Sequence, residues 1–376
     1  MKGMLLVLEC FSSSFILHPF SYDMLLGTMQ SRSRLMAEML ESAWRAVPLR
    51  LEISAEQLDE VTPLLLESGV AALVWRRLRQ SHVQASESAF QLEQAYRLHT
   101  LRAAVHERAI QRILVRLRAA GIEPVLVKGW AIARLYAEPG LRPYGDIDLC
   151  VHPEQYEAAK VSVGDEELQC EVDLHRGFTK LDERGWDGLY SRSQLFEIDG
   201  VEVRTPGPED HLRMLCFHFL REGAWRPLWL CDIAVALEHS RHADFDWELL
   251  MGTSRKRLDW YACAIILAHR LLGAMVEGVP AHVLARRLPS WFVPTVLREW
   301  ERPSMHRRYR SPMSMARHAP VEALKNLRYH WPNAIEGTIG VRGPFNELPR
   351  LPFQAGNCIL RTADFLRHLP KTPGRS

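Results

Sequence analysis

Apolar positions in the first third of the chain recur at three- and four-residue intervals. This spacing appears in SRLMAEMLESAWRAV, in TPLLLESGVAALVWRRLRQ and in the longer run QLEQAYRLHTLRAAVHERAIQRILVRLRAAG, which ends at Gly121. A period near 3.6 residues is typical of amphipathic helices, and a glycine just past the last periodic residue is a common C-cap. The pattern therefore predicts an N-terminal helical region over residues 31–120.

The hydrophobic period shortens to two between residues 121 and 207. IEPVLVKG, GDIDLCVH and QCEVDLHRGF each predict a strand, whereas WAIARLYAE and PEQYEAAK predict intervening helices, the second with an early proline. LFEIDGVEVRTPGP predicts a hairpin that turns at Asp199 and Gly200. This region is expected to form a small mixed β-sheet.

Helical spacing returns after residue 208. EDHLRMLCFHFLREG, LWLCDIAVALEHS, DWELLMGTSRKR and DWYACAIILAHRLLGA each predict a helix, and weaker patterns predict two more within MARHAPVEALKNLRYHW and CILRTADFLRHL. The expected fold class is α+β: a small mixed sheet flanked by N-terminal helices and by a C-terminal helical region over residues 208–376.

The composition is that of an ordinary globular chain: 47% of residues are hydrophobic, 24% are charged, and the net charge is +2. Residues 1–30 are apolar, but serines interrupt the run, which is too short to cross a bilayer; no function is assigned to them. We therefore expect a cytoplasmic protein with no membrane partner. Residues 280–376 carry 16 lysines and arginines against 6 acids, so this tail either is a solvated basic face or meets a polyanion.

The chain has seven cysteines and no C-x-x-C pair. Cys216, Cys231 and Cys263 lie within apolar helical runs, where cysteine behaves as a small buried apolar residue. Neither a disulfide framework nor a zinc site is expected, which agrees with a reducing compartment.

Two acids stand out in the second predicted strand. Alternation places Asp146 and Asp148 on one face of GDIDLCV, with Ile147 and Leu149 on the other. Neighbouring carboxylates repel one another, and a hard divalent cation relieves this repulsion. The pair therefore predicts a metal and phosphate site, whereas a solvated edge strand is the alternative.

The context of the two acids separates them from a chance repeat. A second D-x-D, at Asp244 and Asp246, directly precedes a predicted helix and fits an N-cap. The first pair instead follows a Lys-Gly turn and a loop with Pro and Gly, and a later strand carries further acids. The sequence disfavours a D-x-D-x-T phosphatase because Cys150 occupies the threonine position.

The ordered series KGWAIARLY, GLRPYGDIDLCV, EVDLH and FHFLREGAWRPLWLCDIAVAL resembles the nucleotidyltransferase superfamily. It is most similar to a poorly characterised family in which Lys-Gly replaces the usual Gly-Ser. The resemblance implies a polymerase-β-like core, Mg²⁺ (or Mn²⁺), and transfer of a nucleoside monophosphate from an NTP with release of pyrophosphate. It leaves the acceptor unnamed: a small molecule, a peptide, a protein or RNA.

The resemblance also assigns roles to residues. It implies that Asp146, Asp148 and Asp173 are catalytic and bind the metal, with Glu171 as the rival of Asp173 for the third position. Three further residues are implied to bind the nucleotide phosphates: Lys128, Gly129 and Arg142. Their ordinary alternatives are a turn lysine for Lys128 and an ion pair for Arg142.

Other interpretations remain open from the sequence. His175 is expected to lie behind the metal ligands or to pack between elements. His218 and Asp232 are expected to pack between helices, and contact with a base or an acceptor is the alternative. A toxin-like nucleotidyltransferase that modifies tRNA or protein is the first alternative function, since the basic tail would suit tRNA. A non-catalytic nucleotide-binding scaffold is the second. Only a short segment separates Asp148 from Asp173, which is expected to be the weak point of the catalytic interpretation.

Overall fold

The computed structural model describes residues 31–164, 170–178, 184–240, 244–252, 254–302 and 331–367. The apolar N-terminus and nearly all of the helix predicted within residues 315–331 lie outside these ranges. Within them the chain is helical around a small sheet and a hairpin, so the α+β prediction is confirmed. No helix in the described ranges is both long enough and apolar enough to cross a membrane.

The N-terminal region is helical, as the spacing predicted. Its helices are α1 (Arg32–Leu40), α2 (Ala55–Ser68), α3 (Ala71–Leu78) and α4 (Glu87–Ala119). Ser54 and Gln57 form a reciprocal capping box at the start of α2, where each side chain accepts a hydrogen bond from the other's backbone N–H. Gly121 follows the end of α4 with a positive φ of 72°, which favours glycine.

Three strands form the central sheet in the order β1–β2–β3. They are β1 (Val125–Val127), β2 (Asp146–Val151) and β3 (Glu171–Arg176). Strand β1 runs antiparallel to β2, whereas β3 runs parallel to it. Helix α5 (Gly129–Ala133) links β1 to β2, and a 3₁₀ turn followed by α6 (Tyr156–Val163) lies between β2 and β3.

A separate hairpin follows the sheet. After α7 (Trp186–Ser191), strands β4 (Gln194–Ile198) and β5 (Val201–Thr205) pair in antiparallel fashion. Both turn residues, Asp199 and Gly200, have positive φ, the conformation that favours Asp-Gly in tight hairpins. The predicted hairpin and its turn are confirmed.

The C-terminal region is again helical. Its helices are α8 (Pro208–Arg221), α9 (Pro227–His239), α10 (Trp247–Met251), α11 (Arg255–Leu272), α12 (Ala281–Leu284), α13 (Phe292–Trp300), α14 (Ala334–Gly340) and α15 (Leu351–Arg367). One boundary differs from the prediction: DWELLMGTSRKR is divided between α10 and α11. The division follows Gly252, whose φ of 62° is incompatible with a continuous α-helix.

Two hydrophobic clusters determine where the sheet lies. The larger one is shared by the N-terminal helices α1–α3 and the C-terminal helices α8, α9 and α11, so regions far apart in sequence form one core. The second lies between α4 and one face of the sheet, and includes Ile113, Leu117, Ile147 and Leu149. The opposite sheet face carries the acids, and α7 and α8 pack against its apolar end.

Candidate active site

The strand register brings the predicted acids together. Asp148 lies directly opposite Asp173 across the parallel pair of strands, and Asp146 lies opposite Glu171. Because side chains alternate along a strand, all four carboxylates belong to the same sheet face. The short segment between β2 and β3 is therefore long enough to place Asp173 beside Asp148.

Asp148 is the centre of the site. It is only 2% exposed, and its Oδ1 lies 2.7 Å from Nζ of Lys128 and 3.0 Å from Nε2 of His175. The same Nε2 lies 3.4 Å from Oδ2 of Asp173, whose side chain is 55% exposed. The imidazole thus lies between a buried acid and a solvent-facing one.

The two acids of β2 have opposite electrostatic environments. Burial alone would raise the pKa of Asp148, but hydrogen bonds from His175 and Lys128 together with their charge hold that pKa below its ordinary value. Asp146 as a residue is exposed, yet partial burial of its carboxyl group and then the charge of Asp148 raise its pKa. Asp148 is therefore fixed as a carboxylate, whereas the charge of Asp146 is only partly offset by Lys128 and Arg142.

The donor atoms at this centre fit a divalent cation. One ligand atom each from Asp148, Asp173 and His175 lie within 4.8 Å of one another. Carboxylate oxygens suit Mg²⁺ and Mn²⁺, and an imidazole nitrogen suits transition metals better than Mg²⁺. Asp146 is adjacent on the same face, so its repulsion with Asp148 would also be relieved by a cation.

The Lys-Gly turn brings the backbone close to β2. Lys128 has a φ of 53° and Gly129 a φ of 33°, both outside the usual regions. A Cβ on Gly129 would lie 3.4 Å from the backbone oxygen of Asp146. Trp130, which follows the turn, is buried against α4, and its Nε1 donates to Glu107 at 3.0 Å. The tryptophan therefore holds the turn against α4.

Arg142 lies in a buried ion pair. Its Nε and Nη2 donate to the two carboxylate oxygens of Asp232 at 3.1 and 2.8 Å, and its Nη1 donates to the Pro143 carbonyl at 3.2 Å. Asp232 is fully buried and also accepts from the Tyr136 hydroxyl at 2.8 Å. Each guanidinium nitrogen thus has a partner inside the protein, which corresponds to the ion-pair alternative for this residue.

His175 lies beside the predicted metal-binding acids. The sequence favoured a position behind the ligands or in packing, and its Nε2 contacts both Asp148 and Asp173. The signal was present in EVDLH, where alternation puts His175 on the face of Asp173. Glu171, the rival third acid, is exposed, and Asp148, Asp173 and His175 form their ligand cluster without it.

Carboxylates paired across two strands, a lysine beside them and a Lys-Gly turn form the kind of site that can hold a metal ion and phosphate groups. Residues 54–273 match the profile of a family described as "Uncharacterised nucleotidyltransferase". This match covers more than half of the chain, which therefore belongs to that family. No curated protein sequence matches the chain significantly.

One solved structure also matches. It is a crystal structure of an antigenic nucleotidyltransferase-like protein from Paracoccidioides brasiliensis. The two chains share 14% identity, the match covers 48% of this chain and 96% of the other, and the TM-score is 0.33. The family assignment rests on the sequence match.

Proposed function

We propose that the protein transfers a nucleoside monophosphate from an NTP to a hydroxyl or phosphate oxygen of an acceptor. The acceptor oxygen forms a bond to the α-phosphorus, and the bond from the α-phosphorus to the oxygen that bridges it to the β-phosphorus breaks. Pyrophosphate leaves with that oxygen. The observation that supports this best is the pairing of Asp148 and Asp173, with Lys128 and His175 within 3.4 Å of a carboxylate oxygen.

The residues that would hold a divalent cation are Asp146, Asp148, Asp173 and His175. Mg²⁺ or Mn²⁺ bound there supplies positive charge to the phosphate oxygens as the transfer proceeds. The chain's own contribution is to hold these donors in place: Asp148 and His175 are buried, and the hydrogen bond between them positions both until a cation would replace the proton on Nε2.

Asp173 is suited to receive the acceptor's proton. Its carboxylate is half exposed, so an acceptor hydroxyl can reach it, and one oxygen lies 3.4 Å from His175. A general base must lie within hydrogen-bond reach of the proton that it takes. We therefore assign proton removal from a hydroxyl acceptor to an Asp173 carboxylate oxygen.

Lys128 and Gly129 serve the triphosphate. The Lys128 side chain is 20% exposed beside Asp148, and its ammonium group can approach a phosphate without a large movement. Gly129 lets the backbone come close to the substrate because it has no Cβ. Arg142 has a different role: through Asp232 it holds the loop that leads into β2, so that Asp146 enters the strand in register.

The test is a transfer assay with matched variants. Purified protein is incubated with Mg²⁺ or Mn²⁺, a cell extract and NTPs labelled at the α- or the γ-phosphate. Label from the α-position should appear in an acceptor, label from the γ-position should not, and pyrophosphate should be released. Asp146→Asn/Asp148→Asn and, separately, Asp173→Asn should abolish these signals.

The chain contains a control for the loss of two acidic charges. Asp244→Asn/Asp246→Asn removes the same charge from the other D-x-D, and asparagine preserves the helix cap that Asp246 provides to Leu249. This variant should retain full transfer. Transfer that persists in the Asp146/Asp148 variant contradicts the site, whereas NTP binding without transfer in the wild type favours the scaffold function.

A further inference from the structure

Helix α8 crosses the sheet face that carries the acids. Met214 packs with Val127 and Cys150 at the apolar end of that face. His218 follows Met214 by four residues, so it lies on the same side of the helix, one turn further on. The helix thus directs a histidine at the region of Lys128 and Asp148.

His218 has an unsatisfied polar atom in this region. Its Nδ1 is buried and has no hydrogen-bond partner among the described residues. Burial and then the positive charge of Lys128 lower the pKa of His218 to about 3, and the charge of Asp148 acts in the opposite direction. At neutral pH the ring is therefore uncharged, and one buried nitrogen awaits a partner.

An aromatic surface adjoins this histidine. The ring of Trp229, at the start of α9, lies 4.5 Å from that of His218 and 5.3 Å from that of Trp225, in both cases edge to face. Trp229 and His218 are only partly buried, so both offer surface to a ligand. Aromatic surfaces of this kind bind nucleobases by stacking, whatever the base.

Arg226 adds a cation beside the aromatic surface. Its Nε donates to the Ser68 carbonyl at 2.9 Å, and its Cζ lies 5.8 Å from the Trp229 ring centroid. No carboxylate of the described residues lies within ion-pair distance of it, in contrast to Arg142. Burial and the nearby charge of Arg142 lower its pKa to about 10, so it still carries its charge at neutral pH.

The turn between α8 and α9 is held in place by later helices. Asn333 at the start of α14 donates to the Gly223 carbonyl at 2.7 Å, and Trp300 of α13 donates to the Ala224 carbonyl at 3.1 Å. Both turn residues have positive φ. The histidine, the tryptophan and the arginine are thus held in one arrangement before any ligand binds, which lowers the entropic cost of binding.

We propose that Trp229, His218 and Arg226 form the nucleoside subsite for the NTP, an inference that rests on the proposed nucleotidyl transfer. The base stacks on Trp229, a polar group of the nucleoside pairs with Nδ1 of His218, and Arg226 binds a phosphate oxygen. The triphosphate then extends from Arg226 towards Lys128 and the carboxylates.

Two ligands, inorganic triphosphate and an NTP, should respond differently to the same substitution in this subsite. Inorganic triphosphate reports the phosphate contacts alone, whereas ATP, GTP, CTP and UTP report the phosphates and the nucleoside together. Calorimetric titration with Mn²⁺ present should show that Trp229→Leu weakens NTP binding by about 5- to 150-fold, the range that corresponds to one stacked base. The same variant should leave triphosphate binding unchanged.

The other two residues give distinct patterns. His218→Gln should weaken NTP binding, alter the preference among the four bases and spare triphosphate. Arg226→Gln should weaken both probes. His282→Gln changes the same residue type at an exposed position of α12, outside the subsite, and should affect neither probe. Trp229→Phe keeps an aromatic ring and should retain most NTP affinity, which guards against a variant that fails to fold.

Three results would overturn the subsite. One is NTP affinity that is unchanged in Trp229→Leu and His218→Gln while both remain folded by circular dichroism. Another is equal weakening of NTP and triphosphate binding by Trp229→Leu or His218→Gln, which indicates general damage to the binding site. The third is the absence of NTP binding by the wild type, which would also contradict the proposed function. Normal transfer by the wild type together with unaffected Trp229 and His218 variants would contradict the subsite alone.

Discussion

The buried pair of Arg142 and Asp232 allows a quantitative test of what Arg142 does. The Asp232 side chain is fully buried and that of Arg142 is 8% exposed, so neither charge is screened by solvent. Removing one partner of such a pair leaves an uncompensated buried charge, which costs about 3–5 kcal/mol. Asp232→Asn should therefore lower the free energy of unfolding by about this amount. The asparagine oxygen can still accept from the Tyr136 hydroxyl, so the loss comes from the charge.

A double-mutant cycle isolates the pair. Arg142→Met and Asp232→Leu should each be destabilising, but the double variant should recover much of the loss because it buries no charge. Urea unfolding followed by tryptophan fluorescence measures each free energy, and an unchanged m-value shows that the midpoint reports stability. NTP affinity should be nearly unchanged in each folded variant.

The opposite result would refute this reasoning. If Arg142→Met leaves the unfolding midpoint at the wild-type value and weakens inorganic triphosphate binding, the guanidinium serves the phosphates and not the loop. A double variant as unstable as the sum of the two single variants would show that the residues act independently.

Three further predictions concern the site and its frame. The pKa of Asp146 is raised in the folded protein, so its ionised form destabilises the fold once the pH exceeds the unfolded pKa. Asp146→Asn should therefore raise the melting temperature of the metal-free protein at neutral pH. Melts at falling pH should show this gain disappear as the wild-type residue becomes protonated. His175→Asn should weaken Mn²⁺ binding more than Mg²⁺ binding, because imidazole nitrogen is the softer donor; equal losses in calorimetric titrations of both metals would argue against ligation. Gly129→Ala should cost about 1–2 kcal/mol in urea unfolding because an L-residue is strained at positive φ, while Gly145→Ala, where an added Cβ meets no atom within 4 Å, is the control.

Local pattern determined the elements and part of the site. Alternation in GDIDLCV placed Asp146 and Asp148 on one face, and the second D-x-D was separable as a helix cap because Asp246 directly precedes helical spacing; its side chain does accept from Leu249. Alternation in EVDLH likewise placed Glu171 and Asp173 on one face. Such inferences need only the geometry of a single strand or helix end, which neighbouring residues specify.

Partners that are distant in sequence were decided by the tertiary structure alone. The guanidinium of Arg142 could bind a phosphate, but packing places it against Asp232, 90 residues later in the chain. A buried charge needs a paired, hydrogen-bonded partner, which this carboxylate provides. His218 lies close enough to Lys128 and Asp148 for their charges to act on its pKa only because α8 packs across the sheet. Helices before and after the sheet bury one shared core, since neither group covers its apolar faces alone. Sequence patterns specify which face of an element is apolar, whereas the choice of the element that covers it depends on how the whole chain packs.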